Sequence, residues 1–272
     1  MSARAETVAT GAASAEPVLL RRDEAGIVWL TLNRPAQRNA LSIALMAALQ
    51  AELDAIAADK TAKAVVIAGA GPAFCAGHDL REMRGNPGRQ HYETVFRQCS
   101  HLMLSIVKLP KPVIARVHGI ATAAGCQLVA SCDLAIAAED ARFATPGVNI
   151  GLFCSTPMVA LTRAVGRKAA MEMLLTGDLV DAARARELGL VNRVAPVSRL
   201  DQEVTELARQ IAGKSALTLA IGTEAFYRQA ELGIAEAYAY ASEVMTRNML
   251  ARDAEEGIDA FLEKRPARWE DR

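Results

Sequence analysis

The stretch that decides the fold is Val117-His118-Gly119-Ile120-Ala121-Thr122-Ala123-Ala124-Gly125-Cys126-Gln127-Leu128-Val129-Ala130-Ser131-Cys132-Asp133. It follows an apolar segment typical of a strand, passes through small residues and enters an apolar segment typical of a helix. Small residues let a backbone turn sharply and let another molecule approach its N–H groups. The first N–H groups of a helix lack internal partners and lie at its positive end. Two interpretations therefore fit: a turn that holds negative charge on an oxygen, and a buried strand–turn–helix packing unit.

The segments before this stretch alternate between strand and helix patterns. Short apolar runs predict strands at residues 26–32, 64–68 and 113–117. A helix with Ser42 as its N-cap is predicted between the first two strands. A second helix, over Tyr92–Val107, ends at the prolines that follow it. This alternation predicts a mainly parallel α/β core with crossover helices.

The segments after this stretch become increasingly helical. Apolar runs predict further strands at 134–137, 141–144 and 189–194. From Pro157 onward the pattern is otherwise almost purely helical, and the last helices are predicted at 200–212, 217–229, 234–250 and 255–264. We therefore predict a disordered tail at 1–17, an α/β core at 18–196 and a C-terminal helical region at 197–272. The helical region could pack across the core, as a simple cap, or against another subunit.

Composition narrows the class of protein. The chain is 51% hydrophobic and 23% charged, as in an ordinary globular protein, and its formal net charge is +0. This balance shows no electrostatic footprint of nucleic acid or of an anionic membrane, and no apolar run is long enough to span a bilayer.

The cysteines indicate the compartment. The five of them form no CxxC pair and no metal-ligand spacing with histidine, which predicts reduced thiols and no metal site. Residues 1–17 lack an apolar signal core. We expect a cytoplasmic protein, or one of the mitochondrial matrix if the source is eukaryotic.

Three motifs, in this order, resemble the crotonase superfamily, also called the enoyl-CoA hydratase/isomerase family. They are Leu32–Leu41 after the first strand, Phe74–Leu80 after the second, and the opening stretch continued by Phe143–Leu152. The resemblance extends from about residue 18 to the C-terminus. It implies a spiral of ββα units with a helical C-terminal trimerisation region, and therefore a homotrimer or a dimer of trimers.

The resemblance also implies a ligand and a site. Family members bind acyl-CoA thioesters and need no separate cofactor, because coenzyme A is part of the substrate. Two backbone N–H groups hold the thioester oxygen as it becomes an enolate, and the matching positions are His78 and Ala124. The residues implied to contact coenzyme A are Arg38, Ala40, Ala76, Leu80, Arg81 and Lys264. For each basic residue in this set, a solvated surface position is an equal alternative.

The acid–base part of the family pattern is absent. Hydratases of the family use two glutamates, and the matching positions here are Gln127 and Gly147. An amide cannot exchange protons as a carboxylate does, and glycine has no side chain. General acid–base help contributes about 10²–10⁴-fold, so we expect standard hydration to be nearly abolished. The additional acidic position of the isomerases is Ser155, and for Cys126 and Cys154 packing is the favoured role.

Three hypotheses for the function remain open. The first is an acyl-CoA enzyme of this family, hydratase-like in its resemblance. The second is a decarboxylase of malonyl-type thioesters, since loss of CO₂ generates an enolate without a base; the Ala76–Asp79 run is similar to that of the family's methylmalonyl-CoA decarboxylases. The third is a non-catalytic acyl-CoA-binding protein. If only side chains are missing, Gln127→Glu with Gly147→Glu should create or increase hydratase activity.

Overall fold

The computed structural model describes residues 16–272, so all but the last two residues of the tail predicted at 1–17 lie outside the described residues. The strands are β1 (Leu19–Glu24), β2 (Ile27–Leu32), β3 (Ala64–Gly69), β4 (Val113–Val117), β5 (Ile120–Thr122), β6 (Leu134–Ala138), β7 (Arg142–Ala144), β8 (Val180–Asp181) and β9 (Arg193–Ala195). The helices are α1 (Ile43–Ala58), α2 (Leu80–Gly85), α3 (Arg89–Val107), α4 (Ala124–Ser131), α5 (Pro157–Ala164), α6 (Arg167–Thr176), α7 (Ala182–Glu187), α8 (Leu200–Ala212), α9 (Ala216–Gln229), α10 (Ile234–Met249) and α11 (Arg252–Glu263).

Two sheets organise these elements. The larger has the strand order β1-β2-β3-β4-β6-β9, and the smaller has the order β5-β7-β8. In the larger sheet only β1 and β2 pair antiparallel, and all other neighbours are parallel. The mainly parallel α/β core predicted from the alternation of segments is therefore confirmed.

Both faces of the larger sheet are covered, which explains why its central strands are mostly apolar. Alternate residues of β2 point to opposite faces: Leu30 packs in the cluster that contains α1 and α3, whereas Trp29 packs against α8. Ser42 caps α1 as predicted, because its hydroxyl accepts a hydrogen bond of 3.1 Å from the N–H of Leu45.

Most predicted elements are present, with shifted ends and some omissions. The last predicted strand is shorter than expected, since β9 begins at Arg193 rather than at Gly189. The last helix ends at Glu263, so Lys264 follows α11 instead of lying within it. The predicted elements did not include β1, β5, β8 or α2. Helix α3 begins at Arg89, three residues before the predicted start.

The C-terminal helices α9, α10 and α11 pack against one another. The hydroxyl of Tyr227 in α9 donates a hydrogen bond of 2.7 Å to the carboxylate of Asp133, at the end of the opening stretch. This bond joins the C-terminal helices to the sheet. Over residues 16–272, no helix has both the length and the apolar character needed to cross a membrane.

Candidate active site

The first of two turns that build the site lies between β3 and α2. Backbone hydrogen bonds tie it to β5 on one side and to Leu41 on the other. The N–H of Leu41 donates to Gly77 at 2.7 Å, and the N–H of Asp79 donates to Leu41 at 3.1 Å. In such a parallel pairing the residue between the two bonds keeps its own N–H free. Among the described residues, the N–H of His78 therefore has no partner.

Side chains from the segment before α1 fix this turn. The amide of the buried Asn39 donates to the carbonyls of Ala70 and Ala73 at 2.8 and 2.7 Å. Its backbone has a φ of 55°, a left-handed conformation that asparagine tolerates better than most residues. Arg34 donates to the carboxylate of Asp79 at 2.8 Å. Sequence reasoning singled out neither Asn39 nor Arg34 as a support for the site.

Asp79 has a structural role at the start of α2. Its carboxylate accepts hydrogen bonds from the N–H groups of Arg81 and Glu82 at 3.1 and 3.2 Å, and so caps the helix. Burial opposes its ionisation, but these bonds and Arg34 outweigh that effect, so the pKa of Asp79 lies below its ordinary value. These contacts give Asp79 a turn-stabilising role.

The second turn joins β5 to α4. Ala123 has a φ of 51° and a ψ of −117°, a conformation that costs an L-residue on the order of 1–3 kcal/mol. Its N–H donates to Ala144 at 2.9 Å. The first hydrogen bond of α4 is from Gln127 to the carbonyl of Ala123, so the N–H of Ala124 points out of the helix start without a partner within the described chain.

Glycines bring the two turns into contact. A Cβ atom on Gly77, whose φ is 96°, would lie 2.9 Å from Cβ of Ala123 and 3.4 Å from the nitrogen of Ala124. A Cβ on Gly125 would overlap the carbonyl oxygen of Cys75 and lie 2.9 Å from its Cβ. Real Cβ atoms do not approach so closely. The glycines are therefore required because each turn packs directly on the other.

The two turns form one wall of a cavity of about 620 Å³, which is within the usual size range of small-molecule sites. The five predicted site residues that line it are Ala76, His78, Leu80, Ala124 and Gly147. The rest of the lining comes from Met83 and Phe96, in α2 and α3, and from residues of the segment 146–157. Neither Met83 nor Phe96 was predicted, because nothing local distinguishes them from residues of an ordinary amphipathic helix.

The cavity lining is almost uncharged. Its polar side chains are those of His78, Asn149, Ser155 and Thr156, and its described lining contains no Asp, Glu, Lys or Arg. No three His, Cys, Asp or Glu side chains between residues 16 and 272 are placed to hold a metal ion. The cavity can therefore hold an apolar group beside two backbone donors.

Gln127 lies one turn further along α4 and does not line the cavity. The residue is 4% exposed, and its Oε1 atom is buried without a hydrogen-bond partner in the described part of the chain. The hydroxyl of Thr145, fully buried, also lacks a partner there. An amide in this position cannot exchange protons as a carboxylate does.

Gly147 has no room for a side chain. A Cβ atom there would lie 2.7 Å from the carbonyl oxygen of Leu152 and 2.9 Å from Sγ of Cys154. The N–H of Leu152 donates to the carbonyl of Gly147 at 2.9 Å, which closes this loop on itself. The pocket therefore departs from the glutamate pattern in its backbone and not only in its side chains.

The remaining reactive groups form no catalytic pair. Burial raises the pKa of Cys126 to about 12 and also raises the pKa of Cys154, so both thiols are protonated at neutral pH. The hydroxyl of Ser155 donates to the carbonyl of Phe153. Burial lowers the pKa of His78, so its imidazole is neutral at pH 7. Packing remains the better interpretation of the two cysteines.

The basic residues predicted to contact coenzyme A lie outside the cavity. The carbonyl of Arg38 accepts a hydrogen bond of 3.0 Å from the N–H of Ala76, which places its backbone beside the cavity. Arg81 is exposed in the first turn of α2, and Lys264 is exposed after α11. Ala40 is buried, and its carbonyl accepts a bond of 2.6 Å from Arg34. None of these four residues lines the cavity.

Comparisons with known proteins agree with this arrangement. The family model for enoyl-CoA hydratase/isomerase matches residues 22–272. The chain is 46% identical over 248 residues to the rat enoyl-CoA hydratase domain-containing protein 3, mitochondrial, covering 91% of this chain and 83% of the relative.

Solved structures share the fold. The crystal structure of an enoyl-CoA hydratase of Mycobacterium smegmatis has a TM-score of 0.92 and 57% identity, over 93% of this chain and 99% of that one. The crystal structure of human enoyl Coenzyme A hydratase domain-containing protein 3 has a TM-score of 0.90 and 45% identity, over 93% of this chain and 100% of that one. The fold is thus the crotonase-like α/β fold implied by the sequence motifs, and the chain belongs to the enoyl-CoA hydratase/isomerase family.

Proposed function

We propose that the chain binds an acyl-CoA thioester in the 620 Å³ cavity and stabilises its enolate at the N–H groups of His78 and Ala124. The observation that supports this proposal best is the contact between two turns whose N–H groups have no protein partner within the described residues. Donors fixed by packing need no reorganisation when charge develops on the oxygen. Each such donor contributes about 2.7–4 kcal/mol to transition-state stabilisation.

Standard hydration is disfavoured by the same site. Adding water across a double bond requires a group that takes and returns protons, and the described cavity lining offers no carboxylate. The titratable side chains of that lining are the imidazole of His78, whose pKa is lowered by burial, and the thiol of Cys154, whose pKa is raised by burial. We therefore expect turnover of crotonyl-CoA at a rate indistinguishable from buffer.

Decarboxylation of a malonyl-type acyl-CoA is the second candidate, and the uncharged cavity lining favours it. The bond between C2 and the carboxylate carbon breaks, CO₂ leaves, and its electron pair becomes the enolate that the two N–H groups hold. A proton from water then reaches C2. No residue has to remove a proton, and an apolar cavity favours loss of a carboxylate that it cannot hydrate.

A screen of acyl-CoAs by mass spectrometry, paired with calorimetry, separates the candidates. The panel comprises free coenzyme A, butanoyl-, crotonyl-, methylmalonyl- and ethylmalonyl-CoA. Tight binding of acyl-CoAs with loss of 44 mass units from a malonyl-type member supports decarboxylation. Binding with no chemical change indicates a non-catalytic acyl-CoA-binding protein. If no acyl-CoA binds better than free coenzyme A, the proposed function is wrong.

Restoring the two family glutamates tests whether the backbone around Gly147 leaves room for a side chain. The packing of Gly147 against Leu152 and Cys154 argues against a gain of hydratase activity from Gln127→Glu with Gly147→Glu. We expect the single change Gln127→Glu to give a folded protein with no hydration, and the double change to give a destabilised one. Hydration of crotonyl-CoA by the double variant would show that the 147–154 loop can move aside.

We also propose a homotrimer built on the C-terminal helices. Large apolar side chains on α10 and after it are exposed, including Ile234 at 79% and Leu250 at 84%, as is Phe261 of α11 at 81%. Exposed apolar surface of this extent is typical of an interface between proteins. Light scattering after size-exclusion chromatography should give about three times the 29.0 kDa of one chain, or six times if trimers pair. A monomer at micromolar concentration would contradict this assembly.

A further inference from the structure

The imidazole of His78 is a polar group of the cavity that the proposed function leaves unused. The enolate site needs only the backbone N–H of this residue. Both ring nitrogens of His78 are buried and have no hydrogen-bond partner in the described part of the chain. An unpaired polar group in such a place is costly and is usually matched by a ligand, by water or by another side chain.

The surroundings of the ring are apolar apart from the backbone of Leu41, which lies near enough to raise the pKa of His78 against the effect of burial but does not form a hydrogen bond with either ring nitrogen. Phe96 meets it edge-on, with ring centroids 5.6 Å apart, and Met83 and Leu80 complete the nearby apolar lining. Burial lowers the pKa of His78, so the neutral ring has one nitrogen that donates and one that accepts. A half-turn about the Cβ–Cγ bond exchanges the positions of the nitrogens and the ring carbons. The ring can therefore present either a donor or an acceptor to the cavity that His78 lines.

The position of the ring limits what it can touch. The side chain belongs to the same residue whose N–H is assigned to the thioester oxygen, so its nitrogens lie only a few bonds from that donor. We therefore expect a ligand group that pairs with them to be attached close to the thioester carbonyl. A distal part of a long acyl chain would lie elsewhere in the cavity.

We propose that the His78 imidazole is a specificity-determining group, which selects acyl-CoAs that have a hydroxyl or carboxyl group on the first carbons beyond the thioester carbonyl. This inference rests on the proposed acyl-CoA site and specifies its substrate class. A plain saturated acyl chain leaves both ring nitrogens unpaired, whereas an oxygen at this position pairs with one of them. The enolate site itself is the same for both kinds of ligand.

Calorimetry with unreactive thioethers tests the selection. The hydroxyl pair is 3-hydroxybutyl-CoA against butyl-CoA, and the carboxyl pair is 2-carboxypropyl-CoA against isobutyl-CoA. We expect the wild-type protein to bind at least one oxygenated member roughly tenfold more tightly than its apolar counterpart. The pair that shows the preference identifies the oxygen group.

Three variants assign the preference to the ring. His78→Leu keeps the backbone N–H and should abolish the preference, whereas His78→Gln, which keeps a donor and an acceptor, should retain part of it. Ser155→Ala, a change at another polar residue of the cavity lining, should leave it intact. Circular dichroism shows whether each variant is folded. If the leucine variant does not fold, a reduced preference in the folded glutamine variant still assigns the preference to the ring.

The failures are distinguishable. Equal binding of the members of both pairs by the wild-type protein overturns the inference and leaves the acyl-CoA site standing. A preference that survives His78→Leu, or that disappears in Ser155→Ala, also overturns it. If neither the thioethers nor butanoyl-CoA bind better than free coenzyme A, the proposed function itself fails.

Discussion

Replacing Gly125 by alanine tests whether the two turns are packed as a unit. Gly125 lies in the first turn of α4, and in a helix alanine is ordinarily more favourable than glycine by about 1 kcal/mol. Helix propensity alone therefore predicts a more stable protein. The structure predicts the opposite, because the new Cβ would overlap the carbonyl oxygen of Cys75 in the other turn. The neighbouring atom is backbone, so the turns themselves must separate.

The expected magnitude follows from overpacking. Forcing a methyl group into a filled space costs typically about 1–3 kcal/mol, which corresponds to a fall in melting temperature of roughly 2–12 °C for a chain of this size. Separation of the turns also changes the distance between the N–H groups of His78 and Ala124. We therefore expect acyl-CoA affinity, measured by calorimetry, to fall at least tenfold in Gly125→Ala.

Gly222 provides the matched control. It lies within α9, and a Cβ atom added there would meet nothing within 4 Å. Gly222→Ala should therefore raise the melting temperature slightly and leave acyl-CoA binding unchanged. Thermal unfolding followed by circular dichroism at equal protein concentrations compares the two variants with the wild type. If Gly125→Ala is as stable as Gly222→Ala and binds acyl-CoA normally, the two turns do not pack as described.

Three further changes test neighbouring features. Gly147→Ala should destabilise the protein by about 1–3 kcal/mol in urea unfolding, because the carbonyl of Leu152 occupies the space of the added methyl group; unchanged stability would contradict the closed loop. Tyr227→Phe should cost roughly 1–3 kcal/mol, since it leaves the buried carboxylate of Asp133 short of a hydrogen bond, and a neutral result would mean that this bond does not anchor α9. The pKa of Asp79 is lowered in the folded state, so its ionised carboxylate contributes to the free energy of unfolding above about pH 4, and this contribution is lost as the pH falls through the folded pKa. Asp79→Asn should remove that part of the acid sensitivity of the stability. If wild type and variant have the same dependence of stability on pH, this role of Asp79 is refuted.

The periodicity of apolar residues and the positions of small residues were sufficient to predict the central strands and the α/β arrangement of the core. The central strands are continuously apolar because both faces are covered, so they stand out in the sequence. Strand β1 was not predicted, since Arg21, Arg22, Asp23 and Glu24 face solvent at the sheet edge and hide its period. Strand β5 is three residues long and is stabilised by pairing with β7 rather than by its own pattern.

Only those features of the site that depend on one short run of sequence could be predicted. The run of small residues around Ala124 indicated a turn with free N–H groups, and the structure has that turn. The left-handed φ of Ala123 could not be foreseen, because alanine ordinarily avoids it and tertiary packing imposes it here. The crowding around Gly147 depends on Leu152 and Cys154 folding back on it, a contact that no spacing in the sequence specifies.

The two halves of the site therefore differ in kind. The half that we propose to hold an oxyanion consists of backbone, and its glycines at positions 77 and 125 permit no substitution without separating the turns. The half that would move protons contains a buried amide at Gln127 and a backbone loop where a second carboxylate would need space. Under the proposed function, an enolate at this site obtains its electrons from a bond that breaks without a base, as in loss of CO₂. On this proposal the choice between catalysis and binding depends on whether the ligand has a leaving carboxylate, and the unpaired imidazole of His78 is the group that we propose to recognise such a carboxylate.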